Sequence, residues 1–166
     1  KLDFKEEYEI VIIEDGSIVS GANSYITLAE YRSWSNARGI TSSDSDVILE
    51  RSIFRSMDYF EQLLFIGNKA NENQSLQWPR TEALIDGYYV DATEIPAQVK
   101  KAIYEAVKVE VDGYSELNVQ DRRTVKEKVG DIEIEYASNS ENRTITPALT
   151  NALLKLVTPA NMVGRA

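Results

Sequence analysis

The sequence has no cysteine and no histidine. Without cysteine there is no disulfide framework and no thiolate metal site, a pattern that suits a reducing compartment. Without histidine the commonest general base and the commonest nitrogen ligand are both missing, so Ser-His-Asp and Cys-His catalysis are excluded. Eight glycines are scattered along the chain and four prolines break it, and they form no glycine-rich phosphate loop. No apolar run reaches the roughly 18 residues that a membrane helix needs, and the N-terminal segment lacks the basic start and cleavage site of a signal peptide.

Positive charge is also scarce. Eighteen Lys and Arg stand against 27 Asp and Glu, a formal charge of −9. Nucleic-acid affinity comes largely from cations that release counterions, so this balance speaks against tight binding of free DNA or RNA. Carboxylates alone can hydrolyse glycosides or hold magnesium. Here they spread over helix faces instead of gathering at loop tips, and the chain is expected to be no enzyme, with no catalytic residue, cofactor or metal. Asp15-Gly16-Ser17 and Asp112-Gly113-Tyr114 lack the alternating oxygens of a calcium loop and read as plain turns.

What is present is hydrophobic periodicity. The residues are 43% hydrophobic, enough for one folded domain over 1–166. Thr27 and Glu30 have capping-box spacing, so a helix is predicted over 28–38, with Leu28, Tyr31 and Trp34 inward and Gly39 as its stop. Ser43, Asp44, Ser45 and Asp46 announce a helix over 46–66 with the stripe Leu49, Ile53, Met57, Phe60 and Leu64. Pro96 opens a helix over 96–112 on Val99, Ile103, Val107 and Val111. Thr146 and Pro147 open a last one over 147–157 on Leu149, Leu153 and Leu156.

Between these lie segments of other kinds. Tyr8 to Ile13 reads as a short strand, with a turn at Asp15-Gly16 and a second strand at Ile18-Val19. Residues 68–94 read as a long irregular loop anchored by Leu76, Trp78 and Tyr88. Residues 119–137 hold a hairpin appendage turning at Gly130-Asp131, which pairs Lys126 with Glu135, Lys128 with Glu133, Val129 with Ile132 and Val125 with Tyr136. The fold class is therefore mainly α: a bundle of about four helices with a β-hairpin, a short N-terminal strand, and a tail over 157–166.

The hairpin's apolar face, Val125, Val129, Ile132, Ile134 and Tyr136, must cover something, either its own helices or another subunit. Arg122, Arg123, Lys126 and Lys128 form the one basic cluster, with no aromatic partners nearby for stacking bases. Trp78, held extended before Pro79, reads as a buried loop anchor.

Several stretches taken in order resemble one family: Ile13-Glu14-Asp15-Gly16, then Gly21-Ala22-Asn23-Ser24-Tyr25-Ile26-Thr27-Leu28-Ala29-Glu30, Gln77-Trp78-Pro79-Arg80, Ile95-Pro96, and Val125-Lys126-Glu127-Lys128-Val129-Gly130. They are similar to the head–tail connector, or neck adaptor, proteins of tailed phages, which are often described as DnaT-like single-stranded-DNA-binding proteins. The resemblance runs from about Ile13 to Val157.

It implies a structural virion protein, made in the host cytoplasm and built into the phage neck. Copies of the chain would form a dodecameric ring that attaches to the portal protein, meets the next neck or tail protein, and lets genomic DNA pass without sequence-specific binding. Portal-binding residues would then be Leu156, Val157, Asn161, Met162, Val163 and Arg165. Contacts between copies would fall on Val125, Lys126, Lys128, Val129, Ile132, Glu133, Ile134, Glu135 and Tyr136, with Trp78 and Arg80 in the long loop. The alternative is a single-stranded-DNA-binding replication protein.

Overall fold

A computed structural model describes residues 10–112, 126–129, 132–135 and 147–158. The helices are α1 (Leu28–Asn36), α2 (Asp46–Glu61), α3 (Ala97–Val111) and α4 (Pro147–Leu153). Three two-stranded antiparallel ribbons accompany them: β1 (Asn68–Lys69) with β2 (Arg80–Thr81), β3 (Leu84–Ile85) with β4 (Tyr88–Tyr89), and β5 (Lys126–Val129) with β6 (Ile132–Glu135). The chain is mainly α, as its periodicity implies.

Local chemistry sets the helix starts. The Thr27 hydroxyl accepts from the Glu30 amide at 3.1 Å, and the Glu30 carboxylate accepts from the Thr27 amide at 2.7 Å. Both halves of the capping box are thus made. The same carboxylate takes Lys100 Nζ of α3 at 2.8 Å. Burial acts to raise the pKa of Glu30, but Lys100 and Thr27 outweigh it and hold the group below the usual carboxylate range. Ser45 caps α2 through the Ile48 amide. Pro96 is the N-cap of α3, one place earlier than the first helical position expected of it.

The inward stripes meet where the pattern places them. α2 packs on α3, α3 on α4, and α1 along α2. Leu49, Ile53, Met57 and Phe60 of α2, Val99, Ile103 and Val107 of α3, and Leu149 and Leu153 of α4 are all buried. Tyr31 and Trp34 stack at 6.0 Å, and Trp34 stacks in turn on Tyr104 of α3 at 5.3 Å.

Five expectations need correction. The second helix ends at Glu61, not 66, so Leu64 leaves the stripe and is 59% exposed. Likewise the last helix stops at Leu153 instead of 157. One cause ends both: residues 64–66 and 156–158 pair with each other, through Ile66 N–H to Leu156 O at 2.9 Å and Thr158 N–H to Leu64 O at 2.9 Å. Backbone groups satisfied across the fold no longer need the helix.

Near the N-terminus, Tyr8 lies outside the described residues, and Ile13 makes a single parallel bridge to Ser24 in place of a strand. Ile18, expected to be in a strand, has φ +63°, far from the extended region. The loop over 68–94 carries β1 to β4, and its supposed anchor Tyr88 is 79% exposed, whereas Leu76 and Trp78 are buried. The hairpin β5–β6 has the register expected from Gly130-Asp131, with Lys126 opposite Glu135, Lys128 opposite Glu133 and Val129 opposite Ile132.

Candidate functional site

Most of the motif residues turn inward. Tyr25 is fully buried; its hydroxyl donates to Glu61 Oε1 at 2.8 Å and accepts from the Trp78 amide at 2.9 Å. Glu61, the last residue of α2, also accepts from the Gln77 amide at 2.7 Å. Burial, then the Glu61 charge, push the Tyr25 hydroxyl well above its ordinary pKa. Burial raises Glu61 as well, against the pull of its hydrogen bonds from Tyr25 and Gln77. The phenol therefore keeps its proton and donates it toward Glu61.

Arg80, only 7% exposed, binds no carboxylate among the described residues. Its Nε donates to Ile66 O at 2.7 Å, Nη2 to Gly67 O at 2.7 Å, and Nη1 to Gln77 O and Oε1, each at 3.1 Å. A planar fork with several fixed donors suits this arrangement of carbonyls. Arg80 thereby clamps the chain leaving α2 onto the segment that carries Trp78.

The first motif is equally structural. The Glu14 carboxylate is buried and accepts the amides of Gly16 at 2.8 Å, Ile18 at 3.0 Å and Val19 at 2.8 Å. Converging amides of this kind make an anion site. Here the chain's own carboxylate occupies it, leaving no room for a phosphate.

What faces solvent is the β3–β4 hairpin. Its turn, Asp86-Gly87, has φ +53° and +88°, the double positive φ of a type I′ turn. Ile85 is buried and pairs with Tyr88; Leu84 pairs with Tyr89 and is half exposed. Tyr88 and Tyr89 stand 79% and 77% exposed. Lys155, beyond α4, reaches Asp86 Oδ1 with its Nζ at 2.6 Å. This aromatic pair escaped the sequence reading, although Asp-Gly between two apolar dipeptides is a strong signal for a short hairpin.

Of the residues expected at surfaces, Trp78, Arg80, Leu156 and Val157 are buried within the chain itself. Lys126, Lys128, Val129, Ile132, Glu133, Ile134 and Glu135 lie on β5 and β6. Val125, Tyr136, Asn161, Met162, Val163 and Arg165 fall outside the described residues.

A family model described as "Putative DnaT-like ssDNA binding protein" matches residues 10–166. The chain belongs to this family. No curated protein and no solved structure matches it. The DnaT-like family's description is of single-stranded DNA binding, and it overturns the expectation of a structural connector in the phage neck. The same description stands against the expected partners, namely the portal protein, a ring of copies, a next neck or tail protein and DNA that merely passes through.

A total of −9 is a sum over the whole chain, whereas contacts with phosphate are local. Four cations, Arg122, Arg123, Lys126 and Lys128, fall within seven consecutive positions of this acidic sequence.

Proposed function

We propose that the protein binds single-stranded DNA. The observation that carries this reading is membership of the DnaT-like family along residues 10–166. Two features of the chain support it: the basic stretch Arg122 to Lys128, suited to phosphates, and solvent-exposed tyrosines, suited to unpaired bases. Binding of this type combines a basic track for the backbone with aromatic faces for the bases. Catalysis has no part in the proposal.

Anisotropy of a fluorescein-labelled oligothymidylate, titrated with the full chain at two salt concentrations, tests it. Binding should weaken as salt rises, with a log–log slope of about −0.7 for each phosphate contacted. A duplex of the same length should bind less well. Replacing Arg122, Arg123, Lys126 and Lys128 together by alanine should flatten the slope. No salt-sensitive binding at protein concentrations up to about 100 μM, the weak end of non-specific DNA affinity, would overturn the reading.

A further inference from the structure

Exposed tyrosines on so short a ribbon are not needed to hold it together. Ile85 and Ala83 already sink the first strand into the core, and Val90 N–H to Ala83 O at 2.9 Å closes the base of the hairpin. A tyrosine that helped fold the ribbon would bury its ring, because the ring is its main source of stabilisation. Tyr88 and Tyr89 instead remain almost wholly in water.

The mount beneath them is well defined. A type I′ turn matches the twist of the strands it joins, so the tip is held without distortion. Adjacent residues of a strand point to opposite faces. The two rings therefore sit on the two faces of one thin ribbon, and a flexible strand passing over the tip can offer a base to each.

A cation stands at the same tip. Lys155 meets Asp86 at 2.6 Å, but the two side chains are 55% and 53% exposed. An ion pair so open to water is weak. A phosphate can take the ammonium group from Asp86 at little cost.

We propose that Tyr88 and Tyr89 form a stacking site for two unpaired bases of single-stranded DNA, with Lys155 meeting the adjoining phosphate. The site rests on the single-stranded-DNA reading given above and assigns residues to it. Asp86 is its brake, since its carboxylate competes with phosphate for Lys155 and repels the backbone.

The full chain carrying Tyr88→Ala and Tyr89→Ala together, titrated against the labelled oligothymidylate, should bind at least about tenfold more weakly than wild type. Base–aromatic stacking measured by alanine substitution corresponds to roughly 5- to 150-fold for each base. Tyr88→Phe with Tyr89→Phe keeps both rings and should bind like wild type. Asp86→Asn removes the competing charge while asparagine tolerates the positive φ, so it should bind several-fold more tightly.

Urea midpoints for all of these variants should match wild type, which separates lost contacts from lost folding. Wild-type binding with no loss in the double alanine variant overturns the site and leaves the single-stranded-DNA reading standing. Absence of wild-type binding overturns both.

Discussion

Tyr25 and Glu61 are 36 positions apart, yet the phenol donates to the carboxylate at 2.8 Å inside the core. Through this bond the segment ahead of α1 is fastened to the last residue of α2, and Trp78 joins them by its amide. Tyr25→Phe keeps the ring against Phe60 but strips a partner from Glu61 and from the Trp78 amide. A buried group left without its partner costs about 1–3 kcal/mol. The urea midpoint should fall accordingly with no change in m-value, and an unchanged midpoint would show that the bond contributes nothing.

Arg80→Lys should be poorly tolerated although the charge is kept. The guanidinium serves four acceptors at once, on Ile66, Gly67 and Gln77. An ammonium is a point donor on a flexible stem and cannot span them. Orphaned carbonyls predict a loss of roughly 2 kcal/mol by chemical denaturation.

Two glycines with nearly the same backbone angle should respond differently to alanine. Gly39 and Gly67 have φ +67° and +70°, but a Cβ at Gly39 meets nothing within 4 Å, whereas one at Gly67 would lie 2.3 Å from Thr81 O. Gly39→Ala should cost only the left-handed penalty of about 1–2 kcal/mol. Gly67→Ala should add overpacking of about 1–3 kcal/mol, read as a lower thermal midpoint than that of Gly39→Ala.

Alkaline pH should destabilise the fold. Burial, with the charges of Asp112 and Asp44, pushes Tyr31 up to about 12, against about 10 in an unfolded chain. From pH 10 to 12 the folded state holds a proton that the unfolded state has released, so stability is full below pH 10 and falls as pH rises through this window. Tyr31→Phe should flatten the decline between pH 10 and 12, although Tyr25, raised in the same direction, keeps part of it. Equal slopes for wild type and variant in guanidinium titrations at several pH values would refute the assignment.

Helix existence, inward faces and the Thr27–Glu30 cap were legible because each depends on residues within a turn or two of one another. The register of β5 and β6 was legible for the same reason, because the paired segments lie only two residues apart in sequence. Trp78 could be read as buried from its place before Pro79, yet assigning Trp78 and Arg80 to a contact between copies overlooked the Tyr25 hydroxyl, which takes the Trp78 amide, and the carbonyls of Ile66, Gly67 and Gln77, which take the Arg80 guanidinium. Tyr88 was misread as a loop anchor and Tyr89 was passed over because a long polar stretch hid an Asp-Gly turn that the local code does describe.

Composition and periodicity by themselves determined that this chain is mainly helical, that α1, α2 and α4 begin where they do and α3 within one residue, and that histidine and cysteine chemistry are absent. Tertiary structure alone decided where α2 and α4 end. Residues 64–66 and 156–158 satisfy one another's backbone across some 90 positions of sequence, as Thr158 does with Leu64, and no local propensity encodes a partner that distant. The same holds for the motif residues: Glu14, Tyr25 and Arg80 look like surface chemistry in one dimension, and only folding brings up the amides, carboxylate and carbonyls that bury them.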